Sequence, residues 1–354
     1  MKKIILINSM TQLIVAVAIR EKMYMTDEVD LIVASRGGLE KANLAPLNDV
    51  FDHIYKADYA PTKANRAVAD YWNTVSLMSP DKYLKKVLGY NFEQDYDDIF
   101  FWNPTMVAFT IIRSGLKKKK PLTIHLFADS LAGCYTDYPV HHLNYKKKWM
   151  NDYNKSKYGL DYVRNLHYDY YIWKKDLHFG EIPGLELVEI PQLDPNDSHI
   201  MDILNDCFNY NEVEIPEKYI YLDRPFEDGW DEARQVKMLD ALAAKVGAEN
   251  IAIKKHPRSP GVYEGYRVIK ESFPWELYRA NNPDKEHVLI TSHSAVTLMP
   301  YLIFGIKQTI YYLGSEDYNR NVPTNNFYET YKQFEKRQAQ IQTMIDIDED
   351  MSQI

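Results

Sequence analysis

Three short stretches in the last third of the chain carry residue types suited to holding a phosphorylated ligand. The first is Lys254-Lys255-His256-Pro257-Arg258, directly after an apolar run at 251–254 that reads as a strand. Residues at the carboxyl ends of parallel strands point into the ligand crevice of an α/β sheet. Pro257 ends the strand and fixes the backbone, so His256 is held at its tip. An imidazole there can protonate or hydrogen-bond a departing phosphate. The second stretch is Phe273-Pro274-Trp275-Glu276-Leu277. A proline suits a helix start, and it sets Glu276 in a first turn, where a carboxylate can accept hydrogen bonds from ribose hydroxyls. The third is Thr291-Ser292-His293-Ser294-Ala295-Val296, again strand then helix. The hydroxyls of Ser292 and Ser294, with the open N–H groups of a helix start, suit a phosphate; a plain serine cap has the same pattern. Histidine, glutamate and serine thus follow three strand ends of one expected sheet, in the order phosphate, ribose, phosphate.

Two acidic stretches can supply a general base. Leu222-Asp223-Arg224-Pro225-Phe226-Glu227-Asp228-Gly229 follows the first strand of the second half, and Leu126-Phe127-Ala128-Asp129-Ser130-Leu131-Ala132-Gly133 follows a strand of the first. Glu227 and Asp228 also suit the start of a helix, where acids complement the dipole. Other polar groups read as structural. Asp95, Asp97 and Asp98 look like a solvated turn, and His141-His142 like surface. The cluster Tyr168, Tyr170, Tyr171 and Trp173 reads as packing before it reads as a sugar platform. Gly37-Gly38 lacks the rest of a dinucleotide fingerprint, and there is no Walker loop and no nucleophile elbow. Cys134 and Cys207 offer neither metal spacing nor a disulfide framework, which suits a reducing compartment.

The elements that must position these residues alternate. Expected strands lie at 4–7, 31–34, 53–55, 99–102 and 123–127, and expected helices at 11–22, 39–47, 62–76, 105–116 and 158–165. The second half repeats the scheme, with strands at 219–222, 251–254, 267–269, 288–291 and 309–313 and helices at 230–246, 275–281 and 295–304. Such alternation builds βαβ units on parallel sheets. A length of 354 residues favours two domains. We expect an N-terminal Rossmann-like, acceptor-side domain over 1–190 and a linker over the turn-rich 191–216. A nucleotide-binding Rossmann-like domain over 217–325 follows, then a polar helical tail over 326–354 that returns to the first domain.

Composition narrows the class. With 42 Lys+Arg against 50 Asp+Glu the net charge is −8, a poor footprint for general nucleic-acid binding. The apolar start at Ile4-Ile5-Leu6-Ile7 is broken by Asn8, Ser9, Thr11 and Gln12, so it reads as a buried strand and not a leader. No run of about 18 apolar residues occurs, so no membrane-spanning helix is expected. The expected location is cytoplasmic. The lysine runs at 117–120 and 146–148, the latter beside Trp149, read as a solvated face or as a contact with the inner surface of an anionic membrane.

Taken in order, these residues resemble the bacterial sialyltransferases of glycosyltransferase family 52, which includes lipooligosaccharide α-2,3-sialyltransferases. The resemblance rests on Ser9-Met10-Thr11-Gln12 after the first strand, on Phe127-Ala128-Asp129-Ser130, on Leu222 to Asp228, on His256-Pro257-Arg258, and on Ser292 to Val296. It implies an α/β protein of GT-B type, two Rossmann-like domains with parallel sheets facing across a cleft. It implies an inverting, metal-independent transferase of CMP-sialic acid, with no cofactor beyond that donor and a galactose-terminated oligosaccharide or glycolipid as acceptor. It carries the catalytic carboxylate to Asp228, ahead of Glu227, and the histidine to His256, and it keeps Asp129 as a rival base or acceptor ligand. Thr11, Gln12, Pro257, Arg258, Glu276, Ser292 and Ser294 fall on the donor side. Two other readings stay open: a transferase with a glucosyl or Kdo donor in surface polysaccharide synthesis, and a non-catalytic nucleotide- or sugar-binding homologue. Self-association is compatible with each.

Overall fold

The structure is a computed structural model that describes residues 1–34, 38–59, 62, 64–92, 95–102, 105–129, 148–159, 168–175, 186–223, 232–256, 259, 261–270, 273–291, 294–312 and 344–346. The chain divides into two compact units, Met1–Leu193 with Asp197–Asn209, and Asp194–Asn196 with Tyr210–Ile354.

The first unit is built on a parallel sheet in the order β3-β2-β1-β4-β5-β6-β7. Its strands are β1 (Lys2–Ile7), β2 (Glu28–Ala34), β3 (Ile54–Ala57), β4 (Asp98–Phe101), β5 (Thr123–Phe127), β6 (Tyr168–Trp173) and β7 (Glu186–Ile190). Continuous apolar runs such as Ile4-Ile5-Leu6-Ile7 form the central strands because both faces are covered. The helices are α1 (Met10–Met23), α2 (Arg66–Met78), α3 (Pro80–Leu88), α4 (Met106–Lys117), α5 (Lys148–Tyr158) and α6 (Ser198–Cys207). Residues 12–19 of α1 are all buried, as expected of a helix covered on every side.

The second unit holds a parallel sheet in the order β10-β9-β8-β11-β12-β13. Its strands are β8 (Tyr219–Leu222), β9 (Ile251–Lys254), β10 (Arg267–Ile269), β11 (Val288–Thr291), β12 (Thr309–Tyr312) and β13 (Met344–Asp346), with helices α7 (Glu232–Val246), α8 (Trp275–Asn281) and α9 (Met299–Phe304). Tyr221, Leu239, Leu242, Ile251, Ile253 and Ile290 form its core.

Several expectations are corrected. The helix expected at 39–47 is two single 3-10 turns, Leu39–Lys41 and Ala45–Asp49. Pro46 has no N–H to donate to residue 42, which is extended at ψ 138°. Helix α5 ends at Tyr158, where a helix was expected to begin, and the remainder of the helix expected at 158–165, from 160 on, lies outside the described residues. Gly159 follows Tyr158 with φ 68°. The left-handed region there suits glycine and stops a helix. The tyrosine cluster at 168–173, read as packing ahead of a sugar platform, is the strand β6, with Tyr168, Tyr170, Tyr171 and Trp173 all buried. Within the segment expected to link the domains, Ser198–Cys207 is helix α6 of the first unit, with Ile200, Met201, Ile203, Leu204 and Cys207 buried. In the tail expected to be helical, Met344–Asp346 is a strand paired in parallel with β12, and its apolar Met344-Ile345 suits a sheet edge; the rest of that tail lies outside the described residues.

Asp98 is not part of a solvated turn. It begins β4 and is 7% exposed, paired with the Lys3 ammonium and 3.5 Å from His125 Nε2. His125 Nδ1 is 3.3 Å from Asp169, and its ring stacks on Phe100 at 4.3 Å. Burial opposes ionisation of Asp98, but the hydrogen bonds from His125 and Lys3 outweigh it and hold the carboxyl at about 2. Asp95 and Asp97 do lie at the surface, where both pair with Lys120.

Candidate functional site

In both sheets the strand order reverses once, between β1 and β4 in the first and between β8 and β11 in the second. Open α/β sheets bind ligands outside the carboxyl ends of the strands at such a switch point. The sequence places polar residues at both.

In the first unit β1 runs into Asn8-Ser9-Met10-Thr11-Gln12. Ser9 caps α1, its Oγ accepting from the Gln12 backbone N–H at 3.3 Å. Gln12 is 1% exposed, and its side-chain amide is fully oriented. Its Oε1 accepts from the Asn8 backbone N–H at 2.7 Å, which leaves Nε2 to donate to Asp129 Oδ2 at 2.6 Å. A backbone N–H can only donate, so the amide cannot be turned the other way. Asp129 stands two residues beyond β5 and is half-buried. The pair brings together two residues that the sequence singled out separately. Thr11, in the first turn of α1, is half-buried beside them. A small recess next to this point is lined by Asn8, Ala34, Tyr59 and Thr105 over Leu6, Ile7 and Ile32. Gly38, after β2, has φ 92°, a left-handed conformation that favours glycine, and it lies against the flexible end of Met10 at the start of α1.

In the second unit the strand ends align by register: Leu222 pairs with Lys254, Lys254 with Ile269, and Tyr221 with Ile290. Asp223, one residue past β8, is 6% exposed and donates its N–H to the Lys254 carbonyl at 3.1 Å. His256 lies two residues past β9, half-buried, its carbonyl accepting from the Ser259 N–H at 2.9 Å. Ser294 lies three residues past β11, half-buried, and starts the 3-10 turn Ala295–Thr297 by accepting from Thr297 N–H (3.2 Å) and Oγ1 (2.6 Å). Gln308 braces this turn: its Nε2 donates to the Thr297 carbonyl and its Oε1 accepts from Trp275 Nε1, both at 2.7 Å.

Glu276 sits in the first turn of α8 and is 2% exposed. Among the described residues its Oε1 has no hydrogen-bond partner. Burial pushes its carboxyl up to about 7, against the opposing pull of its own backbone N–H and the Lys254 charge. Lys254 Nζ itself lies 4.1 Å from the centre of the Phe273 ring.

Glu227, Asp228, Pro257, Arg258 and Ser292 lie outside the described residues, as do His141 and His142. The reading of the sequence missed Asn8, whose N–H sets the Gln12 amide, and the Trp275–Gln308 brace; both depend on pairings between distant segments. Asp223 was within reach, because it directly follows an apolar strand run. Among the described residues, the group of histidine and carboxylates close enough to hold a cation is Glu28, Asp30 and His53. It lies toward the amino end of the first sheet, and the Lys2 ammonium already occupies it, 2.7 Å from Glu28 and 3.7 Å from Asp30.

No protein-family model and no curated protein sequence matches the chain. Solved structures do. The glycotransferase of kitacinnamycin aligns with 98% of this chain and 86% of its own, at 9% identity and a TM-score of 0.55. MnaA from S. aureus, solved with UDP, aligns with 89% of this chain and 79% of its own, at 11% identity and a TM-score of 0.52. UDP-GlcNAc 2-epimerase from Methanocaldococcus jannaschii aligns with 95% and 92%, at 11% identity and a TM-score of 0.50. At these identities the likeness is one of fold: two parallel α/β sheets of GT-B type.

Proposed function

We propose that this chain is an inverting, metal-independent glycosyltransferase that moves sialic acid from CMP-sialic acid to a terminal galactose of a surface glycan. The observation that carries the reading is the Gln12–Asp129 bond, which holds a half-buried carboxylate in one orientation just past the end of a parallel strand. That is the placement a general base needs. Asp129 therefore takes the base role ahead of Asp228 and Glu227 in this reading.

The chemistry needs few groups. Asp129 removes the proton of the galactose 3-hydroxyl as its oxygen bonds to the anomeric carbon of the donor. The bond from that carbon to the phosphate oxygen breaks, and CMP leaves with the electron pair. His256, with Ser292 and Ser294, meets the charge that develops on the phosphate. Glu276 accepts from the ribose diol, which supplies the donors its buried Oε1 lacks among the described residues. Pro257 and Arg258, next to His256 in sequence, are assigned to the same donor phosphate.

A second reading takes a UDP-sugar as ligand, for transfer or epimerisation; the similarity to MnaA solved with UDP and to a UDP-GlcNAc 2-epimerase favours it. Thermal denaturation with CMP, UDP and GDP separates the two, because a ligand that binds the native state raises the unfolding temperature. Stabilisation by CMP alone is expected. Incubation with CMP-sialic acid and lactose then yields sialyllactose, read by mass. Stabilisation by UDP and not CMP would sink the donor assignment, and CMP binding without transfer or donor hydrolysis would favour a non-catalytic homologue.

A further inference from the structure

Helix α3 presents an outer face of a kind that the proposed chemistry does not use. Tyr83, Leu84, Val87 and Leu88 are buried, while Lys82, Lys85 and Lys86 are exposed on the opposite side. The helix has one acid, Asp81, and it accepts a hydrogen bond from Ser114 Oγ of α4 at 2.7 Å. That bond brings the end of α4, where Lys117, Lys118 and Lys119 are exposed, to the start of α3. Large apolar side chains flank the lysines. Lys82 Nζ donates to the Tyr71 hydroxyl at 3.2 Å, and Tyr71 is 52% exposed. Met78, the last residue of α2, is 57% exposed, and Tyr90, two residues after α3, is 86% exposed.

A soluble surface has no need to expose these rings and the thioether beside a one-sided row of ammonium groups. The combination matches an anionic bilayer, whose headgroups take the lysines while Tyr and Met enter the interface. We infer that the α3 face, with the lysines that end α4, docks on an anionic lipid surface. The chain as a whole carries −8, so such a membrane repels it in every orientation except one that presents a basic face. The inference is independent of the donor and of the transfer reaction.

The test is co-sedimentation of the full chain with vesicles of phosphatidylglycerol and phosphatidylcholine, against phosphatidylcholine alone. Binding to the anionic vesicles at low salt is expected, with release at high salt, because exposed charge pairs are screened there. The triple variant Lys82→Ser/Lys85→Ser/Lys86→Ser should lower the partition coefficient about 100-fold, at roughly fivefold per lysine. Tyr90→Ser, at a side chain that is 86% exposed, should weaken binding without changing its salt dependence. Unchanged unfolding temperatures show that both variants fold. Absence of wild-type binding to anionic vesicles, or equal binding by the triple variant, overturns the inference. So does a concentration-dependent dimer that the triple variant abolishes while vesicle binding is absent, which would make the face a contact with a second copy.

Discussion

Gln12 donates its side-chain amide to Asp129 at 2.6 Å across 117 positions of sequence, and the Asn8 N–H fixes which end of that amide faces the carboxylate. This makes Gln12 a positioning residue and Asp129 the group it positions. Asp129→Asn keeps the shape and removes the base, and should lower transfer by about 10²–10⁴-fold. Gln12→Glu replaces the donor by a second carboxylate and should raise the pH at which transfer reaches half its maximum. Gln12→Leu, which only removes the donor, should lower kcat with a smaller pH shift of the same sign and leave the donor KM unchanged. Normal transfer by Asp129→Asn would hand the base role to Asp228 or Glu227.

Glu276 gives a pH-dependent stability whose sign follows from burial. Its carboxyl titrates at about 7 in the folded chain against an ordinary 4.5. The folded state therefore holds this proton more tightly than the unfolded state does. Stability is unaffected below 4.5, where both states are protonated, and falls as pH rises from 4.5 through about 7. The two values imply a loss of about 3 kcal/mol by pH 8, from roughly 1.4 kcal/mol per unit. Glu276→Gln keeps the shape without the charge. Its unfolding temperature should equal that of the wild type at pH 4.5 and exceed it increasingly toward pH 8. A constant difference across that range would show that Glu276 does not titrate there.

Transfer should persist in EDTA. A CMP-linked donor has a single phosphate and no diphosphate for a divalent cation to bridge. Loss of product that added Mg²⁺ or Mn²⁺ restores would contradict this and would point to a diphosphate donor instead.

The strands were legible where an apolar run is bounded by polar or turn residues. The runs at 123–127, 219–222, 251–254, 267–269 and 288–291 are strands with those bounds. Strand β6 was obscured because tyrosine and tryptophan alternate with Asp169 there, and aromatic rings suit a core and a sugar site equally. Helix α3 was hidden because Pro80 reads as a stop for α2 as readily as a start for α3. Site residues were legible by type and by place after strands. Their relationships were not, because the Gln12–Asp129 bond exists only once β1, β4 and β5 lie side by side. The burial of Glu276 was not legible either: residues 275–280 of α8 are all buried, so no face of that short helix is left to solvent, which spacing alone does not reveal.

The opposite end of the first sheet should behave as structure and not as site. Lys3 and Asp98 lie at the amino ends of β1 and β4, and Lys3 is five residues from Asn8, roughly 17 Å along an extended strand. Asp98 is held at about 2 against an ordinary 3.8, so it contributes stability above pH 3.8 that is lost as pH falls toward 2. Asp98→Asn leaves the buried Lys3 ammonium without its nearest counter-charge, and loss of one partner of a buried pair costs about 3 kcal/mol or more. Urea denaturation at pH 7 should show that loss. Nucleotide-induced stabilisation, scaled to the lower starting temperature, should be unchanged, because the carboxyl ends of the strands keep their geometry. An Asp98→Asn protein that denatures like the wild type but no longer responds to nucleotide would place the ligand at the amino edge and reverse the assignment of the two ends.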